Sequence, residues 1–248
     1  VVASYGASVT LGYAETNFAP NAEWNDNSLS SITDAAGIKT YLYLNRINAS
    51  SSLIVSPYGT TTFTYAGGEF GQAAVSLFDR YLKVTFPDSS SEVYANLTGY
   101  LNGVDWPNWS GGQIPDTSTS PVNSLDTNDR QGRNSFYWNP QQWATISKDP
   151  AVDAFNWAEF KKGRIRHWLT STSDSYTHWD ALSWEQAPSP DGSAEGIVTW
   201  YDYAGKPAGE NFKRGSQVNP SIIAKVMPDG NTWYQHFQRN SLGKATNM

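Results

Sequence analysis

The chain of 248 residues contains no cysteine, only 2 methionines and 3 histidines, and 16% charged residues. Without cysteine, neither disulfides nor thiolate metal sites can form. The net charge is −6 and no basic run is longer than residues 161–166, which argues against the broad positive surface that a nucleic-acid partner requires. No apolar run approaches the roughly eighteen residues of a membrane-spanning helix. We therefore expect no nucleic-acid partner and no membrane span.

Aromatic residues are abundant, with 11 Trp, 14 Tyr and 10 Phe. Aromatic and β-branched side chains suit the pleated, half-buried surface of a sheet. A low charged fraction combined with many aromatics is the opposite of the composition of disordered chains. The composition therefore predicts a folded, all-β protein.

A short phrase recurs along the chain: a turn that ends in Gly or Ser, followed within a few residues by the aromatics of a strand. The turns lie at residues 34–37, 57–59, 87–89 and 228–230, and the aromatics that follow them are Tyr41 and Tyr43, Phe63 and Tyr65, Tyr94, and Tyr234. Pro, Asp and Gly suit these turns because Pro presets φ, Asp bonds its own backbone and Gly accepts a positive φ. Recurrent units of turn plus strand predict an array of antiparallel β-hairpins in one continuous curved sheet.

The phrase is confined to two sections of the chain, residues 1–98 and 161–248. Residues 99–160 lack it and are rich in Gly, Pro and small polar residues over most of their length, which predicts an irregular insertion or plug-like section within one continuous architecture. At most one short helix is expected, at residues 151–160, because Pro150 stands where a helix can begin and Gly163 where it can end.

The phrase Tyr201-Asp202-Tyr203-Ala204-Gly205-Lys206 matches the Tyr-Asp-x-x-Gly-Arg turns of the YD-repeat family, with Lys in the position of Arg. Together with the turns described above, it makes residues 29–94 and 160–248 resemble YD or Rhs repeats. The residues that carry this resemblance are Gly37, Tyr41, Tyr43, Gly59, Phe63, Tyr65, Tyr201, Asp202, Gly205, Gly230 and Tyr234. The chain departs from the family pattern because several units lack the Tyr-Asp pair and the signature that closes toxin-bearing shells is missing.

The resemblance implies a β-hairpin shell and a non-enzymatic, structural role. We expect a scaffolding or enclosing segment of a large secreted or cell-surface bacterial repeat protein, located outside the cell. Its expected partners are further repeats of the same polypeptide or other copies of itself. The first residues are neither a signal peptide nor a start, so we also expect a mature or excised part of a longer protein.

A carbohydrate-binding β-sandwich is the first alternative, because exposed Trp and Tyr rings can stack on sugars. Its candidate binding residues are Trp106, Trp109, Trp168, Trp179 and Trp184. Glycans would then be the partner. The two hypotheses differ in where the aromatics lie: in the interior of a sheet array, or together on an open face.

A glycoside hydrolase is the second alternative, since such enzymes need two carboxylates in an aromatic cleft. Asp180, Glu185 and Glu195 lie close in sequence to Trp179, Trp184 and Trp200 and are the candidate catalytic residues. Strand carboxylates that alternate with Trp are more often solvent-side neighbours of a buried aromatic ladder, so we lean towards no enzymatic activity.

No metal or other cofactor is expected. His167 and His178 lie in neighbouring predicted strands but lack a third ligand for zinc. Residues 126–132 begin like a calcium loop, yet Arg130 occupies the fifth position and the sixth residue is not Gly. Glycosylation sequons occur at Asn48, Asn96 and Asn108, a number that chance explains in a chain rich in Asn, Ser and Thr.

Overall fold

The computed structural model of the chain describes residues 8–13, 29–44, 51–66, 80–97, 114–115, 125–127, 132–148, 155–171, 178–227, 230–240 and 242–247. Within these ranges, about 50% of the residues lie in strands and 5% in helices. Contacts divide it into two compact units: residues 1–66 with 82–92, and residues 67–81 with 93–248.

Thirteen of the described strands form one antiparallel sheet in which the spatial order follows the order along the chain. They are β1 (Thr10–Tyr13), β2 (Leu29–Thr33), β3 (Lys39–Leu44), β4 (Ser51–Ser56), β5 (Gly59–Ala66), β6 (Arg80–Thr85), β7 (Ser91–Leu97), β8 (Asn134–Trp138), β9 (Arg164–Thr170), β10 (His178–Gln186), β11 (Val198–Asp202), β12 (Ile222–Val226) and β13 (Thr232–His236). A separate pair follows, β14 (Gln238–Arg239) with β15 (Ala245–Asn247). The predicted all-β fold of antiparallel hairpins is confirmed.

Specific turn residues connect the strands of the hairpins β2–β3 and β4–β5 in the first unit. Asp34 starts the first turn, where its Oδ1 accepts hydrogen bonds from the backbone N–H groups of Ala36 and Ile38, both at 2.9 Å. Gly37 completes this turn at φ +80°, a conformation that an L side chain rarely adopts. Gly59 likewise has φ +119°, and a Cβ there would overlap the ring of Pro87.

The second unit has a densely packed core on one face of its strands. Trp138, Trp184 and Trp200 are each 0% exposed, on β8, β10 and β11. Trp138 and Trp200 alternate along their strands with half-buried residues, as the period of two in a strand requires. These three tryptophans are therefore interior residues of the second unit.

Two short helices cover part of this core, where the sequence predicts at most one. They are α1 (Pro140–Trp143) and α2 (Trp157–Phe160). Each begins with a capping box, formed by Asn139 with Gln142 and by Asn156 with Glu159. In each box, the Asn side chain accepts a hydrogen bond from the helix backbone, and the Gln or Glu side chain accepts one from the backbone N–H of the Asn. Helix α2 lies within the predicted interval 151–160, of which residues 151–154 fall outside the described residues.

The described part of residues 99–160 contains regular elements. Strand β8 and helix α1 both lie inside residues 99–160, and β8 pairs with β7 on one side and β9 on the other. Phe136, Phe155 and Phe160 join Trp138 and Trp143 in one aromatic cluster, with ring centroids 4.8 to 6.4 Å apart. This part of the middle section thus belongs to the core of the second unit.

Candidate functional site

The strongest chemical candidates are the carboxylates of the second unit. Glu185 on β10 accepts a hydrogen bond from the Tyr201 hydroxyl at 2.8 Å, and its other oxygen lies 3.6 Å from Arg166 Nε. Burial, followed by the hydrogen bond to Glu185, raises the pKa of the Tyr201 hydroxyl. One oxygen of Glu185 is therefore hydrogen-bonded to a residue of β11, and the other lies within ion-pair distance of a guanidinium on β9.

Glu195 has an equally complete set of partners. Its Oε1 accepts from the indole N–H of Trp157 at 2.7 Å, and its Oε2 accepts from the side-chain amide of Gln186 at 2.9 Å. Lys161 Nζ lies 3.9 Å from Oε1. These contacts attach the loop before β11 to helix α2 and β10, which is a structural use of a carboxylate.

Glu185 and Glu195 lie on opposite sides of strand β10. Glu195 bonds the side chain of Gln186, which is 0% exposed, and successive residues of a strand point to opposite faces. The two carboxylates therefore do not face each other across a cleft as a glycosidase pair does. Asp180 lies on β10, but its side chain falls outside the described residues.

Of the five predicted sugar-binding tryptophans, the structure describes the side chains of Trp168 and Trp184, and these two do not form an open aromatic face. Trp184 is 0% exposed and stacks on the His167 ring, with centroids 5.1 Å and planes 7° apart, so no sugar can reach it. Trp168 is half-buried, and its indole N–H donates to Ser135 Oγ at 2.9 Å. Trp106 and Trp109 lie outside the described residues, as does the side chain of Trp179.

A buried polar cluster lies beside the tryptophans, and sequence reasoning did not identify it. Arg133 Nη2 donates to Asp126 Oδ2 at 2.8 Å, and His167 Nε2 lies 3.6 Å from the same oxygen. The Nδ1–H group of His167 donates to Asn134 Oδ1 at 2.8 Å. All four side chains are at most 6% exposed. The only sequence signal was the resemblance of residues 126–132 to a calcium loop, and the Asp126 carboxylate is instead paired with Arg133.

The cluster joins three segments that are distant in the chain. Arg133 also donates through Nη1 to the backbone oxygens of Trp168 at 3.0 Å and Phe212 at 3.3 Å. Burial raises the pKa of Asp126, but its interactions with His167 and with the Arg133 charge outweigh burial, so the net pKa lies below the ordinary value. An ionised Asp126 in this position holds segment 125–127 to β9.

The Tyr-Asp phrase lies at the end of β11 and forms a turn whose Asp202–Lys206 ion pair is buried. Asp202 Oδ1 and Lys206 Nζ are 3.0 Å apart, with side chains 6% and 3% exposed, and Lys206 also donates to the Asn211 backbone oxygen at 3.0 Å. Gly205 has φ +77°, and a Cβ there would overlap Ser216 Oγ. The phrase therefore fixes the connection from β11 towards β12.

The other repeat-phrase residues lie in turns and strands. Gly230 has φ +84°, next to residues 228–229, which are not described. Tyr234 on β13 is half-buried opposite Ala224. In the first unit, the register places Tyr41 on one face of the sheet and Phe63 and Tyr65 on the other. The side chain of Tyr43 is outside the described residues.

Metal-binding geometry is missing from the part of the chain that the structure describes, where no three His, Cys, Asp or Glu side chains converge. His236 on β13 is exposed, and the side chain of His178 is not described. Among the described helices, none is long and apolar enough to cross a membrane.

Comparison of the chain with protein-family models, with curated proteins and with solved structures finds no match in any of the three. The functional assignment therefore depends on the geometry. Among the described residues, the carboxylates Glu185 and Glu195 and the buried polar cluster around Asp126 connect strands and loops to one another.

Proposed function

We propose that this chain is a non-enzymatic structural segment of a large secreted or cell-surface repeat protein, of the kind that YD-like phrases build. Its role is to scaffold or enclose through β-hairpins added in series. The observation that carries this proposal is the strand order, in which β1 to β13 follow one another in space as they do along the chain.

The side chains support a mechanical role over a chemical one. Trp184, one of the candidate sugar-binding residues, and Trp200, which is close in sequence to the candidate carboxylates, are fully buried. Glu185 and Glu195 are each occupied by aromatic N–H or O–H donors and by basic neighbours. A site that performs general acid–base catalysis keeps such groups within reach of a substrate.

The reading frame that encodes the chain provides the most economical test. The proposal expects further units of turn plus aromatic strand beside this segment, because a hairpin array presents an edge strand to its next neighbour. A frame that contains this chain and no further unit would contradict the role as a segment of a larger array. Protease treatment of intact cells tests the proposed location, because an external segment is cleaved without lysis.

A further inference from the structure

One face of the β1–β5 sheet, in the first unit, is apolar and carries no charge. The pairing register places Leu11, Ile32, Leu42, Ile54, Phe63 and Tyr65 on this side, here called the neutral face. Thr40 and Thr61 lie between them on the same side. The opposite side carries the exposed Lys39.

The neutral face lacks the burial that a sheet normally needs. Leu11 and Tyr65 are 38% and 42% exposed, and the other four residues are half-buried. Ser31 is the only buried side chain among the described residues of β1–β5. A sheet gains its stability by packing one face against a second layer, so this face is suited to a partner.

The width of the neutral face indicates whether a single peptide or a whole sheet could cover it. Five strands about 4.8 Å apart and about six residues long cover roughly 24 by 20 Å. An extended peptide is one strand wide and covers only a fraction of that width. Further repeats of the same array extend it at the edge strand, since each strand from β1 to β12 pairs with the next along the chain, and they leave the face open. The fitting partner is therefore another sheet.

Because the neutral face has no charged side chain, its partner surface should also be uncharged. A charged side chain placed against it would lose its hydration without gaining an opposite charge. The same face of a second copy meets this requirement, because it is equally wide, equally neutral and can pair about a two-fold axis. We propose that the neutral faces of two copies pack together, sheet on sheet, into a homodimer.

This inference rests on the proposed structural function and names the partner of the array. Its footprint of roughly 480 Å² is smaller than the roughly 800 Å² per partner of a standard interface, so we expect a weak, concentration-dependent dimer. Sheets that pack in this way lie about 10 Å apart.

The experiment is sedimentation equilibrium of the full chain from low micromolar to submillimolar concentration, with Ile54→Lys and a matched control, Val55→Lys. The two residues are neighbours on β4, both are half-buried, and they point to opposite faces. We expect the mass of the unmodified chain to rise from one copy towards two. Ile54→Lys weakens this association at least about tenfold, whereas Val55→Lys keeps it.

Hydroxyl-radical labelling of Phe63 in the unmodified chain gives a second readout that needs no variant. Its labelling is expected to fall as the concentration rises, while that of Trp233, in the second unit, stays constant. The proposal is overturned if the mass remains that of one copy at every concentration, or if Val55→Lys dissociates the dimer as fully as Ile54→Lys does. It is also overturned if the labelling of Phe63 does not change with concentration. A monomeric chain encoded beside further repeat units would contradict the dimer and leave the structural function standing.

Discussion

His167 and Trp184 stack face to face in the core of the second unit, with ring centroids 5.1 Å apart and planes 7° apart. They are opposite each other in the β9–β10 register, and both are 0% exposed. Trp200 on β11 packs against Trp184 in a tilted arrangement, with ring centroids 6.1 Å and planes 50° apart. These three rings therefore belong to the interior of the second unit.

Replacing Trp184 by Ala is expected to lower the free energy of unfolding by about 3–5 kcal/mol, because the change leaves a large cavity. The matched control is Trp233→Ala on β13, where the ring is 46% exposed and the expected loss is below about 1 kcal/mol. Urea unfolding measures both values. Equal losses for the two variants would show that Trp184 is not a core residue.

The Asp126–Arg133 pair is expected to behave as a buried ion pair. Arg133→Met leaves the Asp126 charge without its closest partner and lowers the free energy of unfolding by about 3–5 kcal/mol. The double variant Asp126→Leu with Arg133→Met removes both charges and recovers part of that loss. A double variant as unstable as the sum of the two single variants would rule out this coupling.

Acid pH is expected to weaken the same pair. The folded pKa of Asp126 lies below that of an unfolded Asp, about 3.9, so the unfolded chain binds more protons between the two values. The stabilisation is present above about pH 4 and is lost as the pH falls through the folded pKa. The pKa values of Asp88 and Asp191 are also lowered, the latter to about 2. These two residues therefore add to the loss of stability at acid pH.

The variant Asp126→Asn isolates the contribution of Asp126. Chemical unfolding at a series of pH values from 2 to 7 should show a smaller acid loss in Asp126→Asn than in the unmodified chain. Identical pH profiles for the two proteins would mean that Asp126 is not ionised beside Arg133 in the fold.

Alkaline pH is expected to act on Tyr201. Its folded pKa is raised above the ordinary value of about 10, so the folded state holds the hydroxyl proton more firmly than the unfolded state does. Stability from this group is present below about pH 10 and declines as the pH rises towards the folded pKa. Tyr201→Phe should therefore lose less stability above pH 10 than the unmodified chain. It should be about 1 kcal/mol less stable at neutral pH, because the bond to Glu185 is absent. A phenol titration in which every tyrosine ionises near pH 10 would contradict the raised pKa.

Glycine substitutions provide a comparison of two repeat-phrase turns in the second unit. Gly205 and Gly230 both have positive φ, but a Cβ at Gly205 would overlap Ser216 Oγ, whereas a Cβ at Gly230 meets nothing within 4 Å. Gly230→Ala is expected to cost about 1 kcal/mol from backbone strain alone, and Gly205→Ala more. Thermal unfolding distinguishes them, and an equal shift for both would show that the Gly205 turn is not tightly packed.

Local turn chemistry explains which parts of the fold the sequence predicts well. The hairpin β2–β3 is recognisable because Asp34 and Gly37 determine its turn within four residues. Strand β8 has no such phrase, and its pairing with β9 joins residues about thirty positions apart, such as Asn134 and His167. Helix α1 is too short for any periodicity to show.

The candidate sites depend on information that a pattern of alternation does not contain. Alternation predicts that Glu185 and Gln186 point to opposite faces, but it does not reveal which face the rest of the chain covers. Trp184 is buried because His167 and Trp200 pack against it from neighbouring strands. The Asp126–Arg133 contact forms only once segment 125–127 lies against β9.

The strictest test of serial hairpin addition is hydrogen exchange on a chain that lacks residues 219–248. This deletion removes β12 to β15 and leaves β1 to β11 with their sequential neighbours. A serial array predicts that the shortened chain is less stable but folded, with backbone protection in β2–β5 unchanged and losses confined to the strands nearest the cut. Loss of protection throughout the chain, as in a closed fold that needs its last strands, would contradict it.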